Sequence, residues 1–528
     1  MSPRFRLLTT AAIVLLGCAG AAAQIGHTAV RDYLRTEAAR IALEQQAPEP
    51  QQRTPPSLRL PGEEKPRINE KEAQELFRSV DSILKWVSNE TQLPVEHEVK
   101  RKLTNRAELQ QYLEERMDKD GGSDRLKRAE LVLKKFGLLP RDFDMAPFLV
   151  RMLREQVLAF YDPEKKTVFL MDWVDPQAQK PVLAHELTHA LQDQAVDLDK
   201  WLKAGGDDQA HAAAKLTNKS SDVKQDKPAK SPDSGPDDVE QDERESARDA
   251  ISEGQGMLAM IDYVLEPVGR TAMNSPEIIR EMVAQMAEGG DSPVFHSAPL
   301  YLREELTFPY KYGLEFEREV YFRGGRERAF AGVLRDPPSN TREVMEPHVY
   351  LQHEQISSFP MPAVPALLGP GYEQVDVGIV GEFDVHALVE QFTNVGTADR
   401  LSRAWRGGYY FAAMPKNTTA SKPGGSSSAP QTTAQLKLLY VSRWASPKEA
   451  AEFARIYANS LPRKYRSIQA AAGGKPGSKE VAEWTTDEGP VKVEAVGAEV
   501  FVTESFDAAT IARLRSAVVK GAPGAESH

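Results

Sequence analysis

His185-Glu186-Leu187-Thr188-His189 places two imidazoles four residues apart with a carboxylate between them. On a helix, positions i and i+4 share one face with Cβ atoms about 6 Å apart, so both rings can reach one ion. Glu186 stands beside them, able to hold water near that ion without ligating it. This is the chemistry of a zinc hydrolase: the metal acidifies water and the carboxylate takes its proton. The flanking Val182, Leu183, Leu187, Ala190 and Leu191 give the segment an apolar face, as a helix packed in a core requires.

A catalytic zinc needs a third protein ligand and one open position. Metzincins supply a histidine six residues after the second one. Here that position is Ala195, and the glycine position of that pattern holds Gln192, which excludes the class. A glutamate on a later helix is the alternative, and Glu253 in the segment Ser246–Met257 fits, with Glu245 and Asp249 as competing acids. Ala250, Gly254 and Met257 share its helical face, and the small residues beside the carboxylate are expected to let this helix approach the one carrying the histidines. Asp249 or Asp193 could orient a ligand imidazole by accepting its second N–H. Tyr161 and Tyr310 are candidates for stabilising an oxyanion. His348 and His353 are candidates for a supporting role. His97, His296 and His386 read as surface or packing residues, and His27, His211 and His528 fall in segments that read as unfolded.

The elements that must position these groups follow from pattern. Asn69 with Glu72 forms a capping box ahead of Leu76, Val80, Ile83 and Leu84 at helical spacing. Helices are expected at about 107–117, 124–136 and 145–156. The runs Leu158–Tyr161 and Thr167–Met171 flank a polar turn as a β-hairpin. The histidine helix comes next. Residues 203–240 are rich in Ala, Asp, Lys, Ser, Pro and Gly and short of large apolar side chains, so they read as a disordered insert. Helices resume at Glu243–Leu265 and Pro276–Ala287, and residues 299–360 read as helices joined by Pro-rich turns. The Pro/Gly-rich Met361–Tyr372 reads as a domain boundary. Beyond it lie strands at Gly407–Met414 and Leu436–Trp444, a helix capped by Ser446, a hairpin at Val491–Thr503 and a last helix near 507–519. The expected fold is therefore α+β: a mainly helical domain with a small sheet over 67–360, then a smaller α+β domain over 374–522.

The chain has 528 residues, room for about three domains. Its 66 basic and 77 acidic residues leave a net charge of −11, which argues against a nucleic-acid partner. Cys18 is the only cysteine, which removes thiolate metal sites, disulfides and a cysteine nucleophile from the rest of the chain. Residues 1–23 read as an export signal, with Arg4 and Arg6 ahead of an apolar run and Ala21-Ala22-Ala23 before Gln24. Leu15-Leu16-Gly17-Cys18 also resembles a bacterial lipobox, which would make Cys18 a lipid anchor. Residues 24–66 read as a Pro/Gln-rich linker, and no later run reaches the ~20 apolar residues of a membrane span. The expected location is the periplasm, the cell envelope or the exterior.

The segment HELTHALQDQ, residues 185–194, resembles exported bacterial zincin-like proteins of the gluzincin type. Phe160-Tyr161-Asp162-Pro163, Glu253-Gly254, the Phe308-Pro309-Tyr310/Gly313/Phe316 pattern, Gly324-Gly325 and Pro337-Pro338-Ser339 resemble the same group. The resemblance covers roughly 70–355 and, more faintly, the C-terminal domain. It implies a peptidase-like fold, zinc on His185, His189 and Glu253, Glu186 as catalytic base, and a protein or peptide substrate. This sequence departs from it at Glu346, where relatives tend to have a histidine that His348 would have to replace. The main expectation is an exported zinc metallopeptidase, with strand Thr167–Met171 taking substrate as an added edge strand. The alternatives are a non-catalytic cell-envelope binding or scaffold protein on a zincin fold, or a zinc hydrolase of a non-peptide amide.

Overall fold

The computed structural model describes residues 68–118, 122–203, 236–289, 292–354, 361–416, 432–470 and 481–519. The expected leader, the linker, Cys18 and most of the 203–240 segment lie outside them. Chain order begins with helix α1 (Glu70–Thr91), whose Leu76, Val80, Ile83, Leu84 and Val87 are buried at helical spacing. Its capping box is formed: the Glu72 N–H donates to Asn69 at 3.0 Å and the Asn69 N–H to the Glu72 carboxylate at 2.8 Å. Strand β1 (Lys100–Thr104) and helices α2 (Arg106–Asp118), α3 (Gly122–Phe136) and α4 (Met145–Gln156) follow. Strands β2 (Ala159–Asp162) and β3 (Thr167–Met171) make the hairpin that the pattern predicts.

The small sheet runs β1-β3-β2, with β1 parallel and β2 antiparallel to β3. The central place of β3 overturns the expectation that it is an edge strand open to substrate, because both of its hydrogen-bonding edges are taken. The strand that displaces it, Lys100-Arg101-Lys102-Leu103-Thr104, carries no apolar run. Charged side chains suit an edge strand, and there they hide the usual strand signal.

Helix α5 (Pro176–Val196), short helix α6 (Leu198–Lys203) and helix α7 (Pro236–Leu265) come next. Helical structure therefore includes Lys203 and 236–240, the two ends of the segment expected to be disordered, and Val239 is buried. Helix α8 (Pro276–Glu288) precedes the long helix α9 (Leu300–Glu327). Gly325 interrupts α9 at φ 75°, a conformation that glycine adopts without strain, and residues Arg328–Gly332 then wind as a π-turn. Helix α7 packs along both α5 and α9. At the second crossing a Cβ on Gly254 would strike the Gly313 backbone, and one on Gly313 the Ala250 carbonyl. The small residues near Glu253 therefore serve contact with α9, not with the histidine helix as expected. Gly256 serves the latter.

The C-terminal region holds strands β4 (Tyr372–Ile379), β5 (Trp405–Pro415), β6 (Lys437–Trp444), β7 (Ile468–Ala470), β8 (Val481–Thr486), β9 (Gly489–Val496) and β10 (Glu499–Glu504). They form one antiparallel sheet in the order β4-β5-β6-β10-β9-β8-β7. Helices α10 (Glu382–Phe392), α11 (Val395–Ser402), α12 (Pro447–Lys464) and α13 (Ala508–Val519) complete it. Tyr409, Phe411 and Ala413 of β5 face one apolar cluster with Phe506 and Leu514, and Tyr410, Ala412 and Met414 face another. That period of two explains why β5 reads as a continuous apolar run: both faces are covered. The second cluster continues without a break into the core of the helical region. The fold is α+β throughout. Among the described residues no helix is long and apolar enough to cross a membrane.

Candidate metal centre

Helix α5 starts at Asp175, whose carboxylate accepts the N–H groups of Gln177 and Ala178, and Pro176 takes the first helical position. The Gln179 amide clamps the helix to the sheet, accepting the Met171 N–H and donating to the Met171 and Val174 carbonyls at 2.9–3.0 Å. From Val182 to Asp193 every side chain is buried, because α1 and α7 pack on the helix along with the small sheet. His185, Glu186 and His189 are 0–5% exposed.

Glu253 on α7 meets both imidazoles. Its Oε2 lies 2.9 Å from His185 Nε2 and 3.5 Å from His189 Nε2, and the two Nε2 atoms are 2.9 Å apart. Ligands of a tetrahedral zinc at 2.0–2.1 Å stand about 3.3 Å from one another, so this triangle is the right size, slightly contracted. Gly256 lets α7 come this close, since a Cβ there would sit 2.7 Å from His185 Nδ1. The Tyr310 ring of α9 stacks over His185 at 6.3 Å between centroids. Of the three acids weighed from sequence, Glu253 is the one in the triangle. Glu245 accepts from Gln241 one turn away.

The tautomer of His189 is set by a chain of amides. The Gln255 Nε2 donates to the Ala329 and Phe330 carbonyls of the π-turn, which can only accept. Its Oε1 must therefore accept, and it does so from Gln192 Nε2 at 2.9 Å. Gln192 Oε1 then accepts from the Ser252 hydroxyl and from His189 Nδ1, each at 2.9 Å. With hydrogen on Nδ1, a neutral His189 presents a lone pair at Nε2 to the triangle. Gln192, Ser252 and Gln255 thus do what sequence reading assigned to Asp193 or Asp249. Gln192 falls one turn after His189 on the same face, but Asp193 is equally close in sequence and is the more familiar acceptor type.

Asp193 instead accepts from the Tyr161 hydroxyl at 2.7 Å, from Lys166 Nζ at 2.7 Å and from the Leu198 N–H at 3.1 Å. The Tyr161 hydroxyl is committed to that carboxylate and its ionisation is pushed up by burial and by Asp193, so it is not an oxyanion donor in this arrangement. What Tyr161 offers the site is its backbone: its N–H donates to Glu186 Oε2 at 2.8 Å. Glu186 Oε1 is buried with no hydrogen-bond partner.

Electrostatics follow this crowding. Burial pushes the Glu186 carboxyl up to about 8, with Glu253 adding to the effect and His189 opposing it. Burial lowers His185, and would lower His189, but the Glu253 carboxylate overrides it and holds His189 above the ordinary histidine range. The two imidazoles hold Glu253 below the carboxylate range against the pull of burial. The triangle thus favours a positive charge at its centre.

His348 pairs with Glu346 at 3.5 Å, Glu346 lies 3.7 Å from Arg342, and the His353 ring faces Tyr350. These are the contacts made where the resemblance departs. Comparison of the chain with family models, curated proteins and solved structures finds no match.

Proposed function

We propose that this chain is an exported zinc-dependent hydrolase of peptide bonds, with His185, His189 and Glu253 holding the ion and Glu186 as general base. The observation that carries the reading is the convergence of three Lewis-basic atoms at 2.9–3.5 Å beside a carboxylate oxygen that has no partner. Two imidazoles and one carboxylate are a donor set suited to catalytic zinc. A bound zinc would supply Lewis acidity and make water acidic near neutral pH. The Tyr161 N–H fixes one oxygen of Glu186 and leaves the other to accept a proton from water. The Gln255–Gln192 chain holds His189 in the tautomer that ligates. The peptide substrate and the exported location rest on the resemblance carried by residues 185–194 and on the leader pattern.

One observation favours a second reading. All four residues are at most 5% exposed, as expected of a metal that ties helices together without catalysis. Glu186→Gln separates the two. On the hydrolase reading it keeps stoichiometric zinc and loses at least a hundredfold of activity on an unfolded protein substrate. Wild-type protein that binds zinc but shows no Glu186-dependent cleavage would sink the catalytic reading.

A further inference from the structure

A second cluster lies where the long helix meets the C-terminal region. Glu304 of α9 and His386 and Glu390 of α10 each bring one ligand atom to within 4.8 Å of the others. His386 is 2% exposed, and its Nε2 lies 2.9 Å from a carboxylate oxygen of Asp399 on α11. A carboxylate accepts only, so Nε2 carries the hydrogen and a neutral ring presents a lone pair at Nδ1. That Nδ1 is buried with no hydrogen-bond partner and lies 3.8 Å from Glu390 Oε2. A lone pair facing the Glu390 carboxylate, with the Glu304 carboxylate in the same cluster, is unfavourable unless a cation or a second proton sits between them. A histidine whose far nitrogen donates to a carboxylate is the usual setting of a metal-ligating imidazole. Lys311 is the nearby cation: it interacts electrostatically with Glu304 and Glu390, while its Nζ contacts the Tyr312 hydroxyl at 3.4 Å.

We propose that Glu304, His386 and Glu390 form a second divalent transition-metal site, with Asp399 positioning the imidazole. It joins a helix of the N-terminal region to one of the C-terminal region. Glu390 is about one-fifth exposed, so the ion can enter from solvent and water can complete its coordination. This inference does not rest on the peptidase reading.

Zinc is the probe. Full-length protein is equilibrated with low-micromolar zinc in excess magnesium, passed through gel filtration and assayed for metal. Wild type should carry two ions per chain, His386→Ala one and His185→Ala one. Glu390→Gln, at a partly exposed position that tolerates change, should also carry one and should lose the zinc-dependent rise in melting temperature contributed by this site. Equal zinc in wild type, His386→Ala and Glu390→Gln would overturn the proposal, leaving the cluster a plain ion pair around a doubly protonated His386. So would a second ion that does not survive gel filtration. Loss of zinc from His185→Ala alone, with His386→Ala and Glu390→Gln equal to wild type, would overturn this proposal and leave the first site standing.

Discussion

Two buried polar clusters in this molecule are built to opposite plans. Between α3 and the C-terminal sheet, Lys135 Nζ donates to Glu488 and Ser505 at 2.8 Å and to the Thr433 carbonyl at 3.1 Å, using all three of its hydrogens. Lys464 pairs with Glu504, which also accepts from the Tyr457 and Tyr465 hydroxyls. These four charged side chains are at most 2% exposed, and each charge has an opposite charge within the protein. At the His185/His189/Glu253 triangle the groups brought together are all bases, with no lysine or arginine among them. The first cluster is complete as folded. The second brings bases together with no opposing lysine or arginine, and a proton or a metal ion can sit between them. Burial alone does not distinguish a structural polar cluster from a ligand site, whereas the balance of donors and acceptors does.

The sharpest break in that comparison is at the triangle itself. His185→Ala or His189→Ala should take zinc at this site from stoichiometric to none, and Glu253→Ala should weaken it strongly while Glu245→Ala does not, all read by metal analysis. Full zinc at this site in either histidine variant would remove that residue from the ligand set. The self-balanced cluster should respond in the other currency. Glu504→Ala strands Lys464 in the core and should cost about 3–5 kcal/mol in urea unfolding, with zinc content unchanged.

A smaller effect is expected at the side chains that hold His189 in the proposed zinc site. Gln192→Leu removes the shorter of the two contacts of His189 Nδ1, leaving the Ser252 hydroxyl at 3.1 Å, and should weaken zinc binding about 10-fold, measured by competition with a chelator. Gln255→Leu should act in the same direction. Unchanged affinity in both would mean that the tautomer is held by other means.

The smallest effect is in pH. Burial would raise Glu504, but the Lys464 and Lys135 ammoniums hold it below the ordinary carboxylate range. Its folded value thus lies below its unfolded value. The stability it contributes is present above about pH 4.3, the ordinary glutamate value, and is lost as pH falls through the folded one. Unfolding free energies from pH 6 down to pH 3 should fall with a slope that Glu504→Gln reduces. An identical slope in the variant would show that other acids carry the acid sensitivity.

Much of the molecule is legible along the chain, and the exceptions have causes. The capped α1, the hairpin, α5 and the Ser446-capped α12 all follow from spacing within a few residues. Strand β1 escapes because its pattern is charged, and β4 because it begins at the end of a Pro/Gly-rich stretch that reads as a domain boundary. At the site, the two histidines and Glu186 are readable because one helical turn relates them. Glu253 is readable as one of three acids.

The amino-acid sequence by itself determined that His185 and His189 share a helix face, with Glu186 beside them. That relation is local, set by 3.6 residues per turn. Only the tertiary structure decided which bases face each other across helices. It turned Gly254 toward α9 and Gly256 toward His185, placed β3 at the centre of its sheet, and chose Gln192 over Asp193 to hold His189. Each of those choices is made by residues tens of positions apart, the last by Gln255 and Ser252 packing against Gln192. They follow from which surfaces pack, and no periodicity within a single element records that.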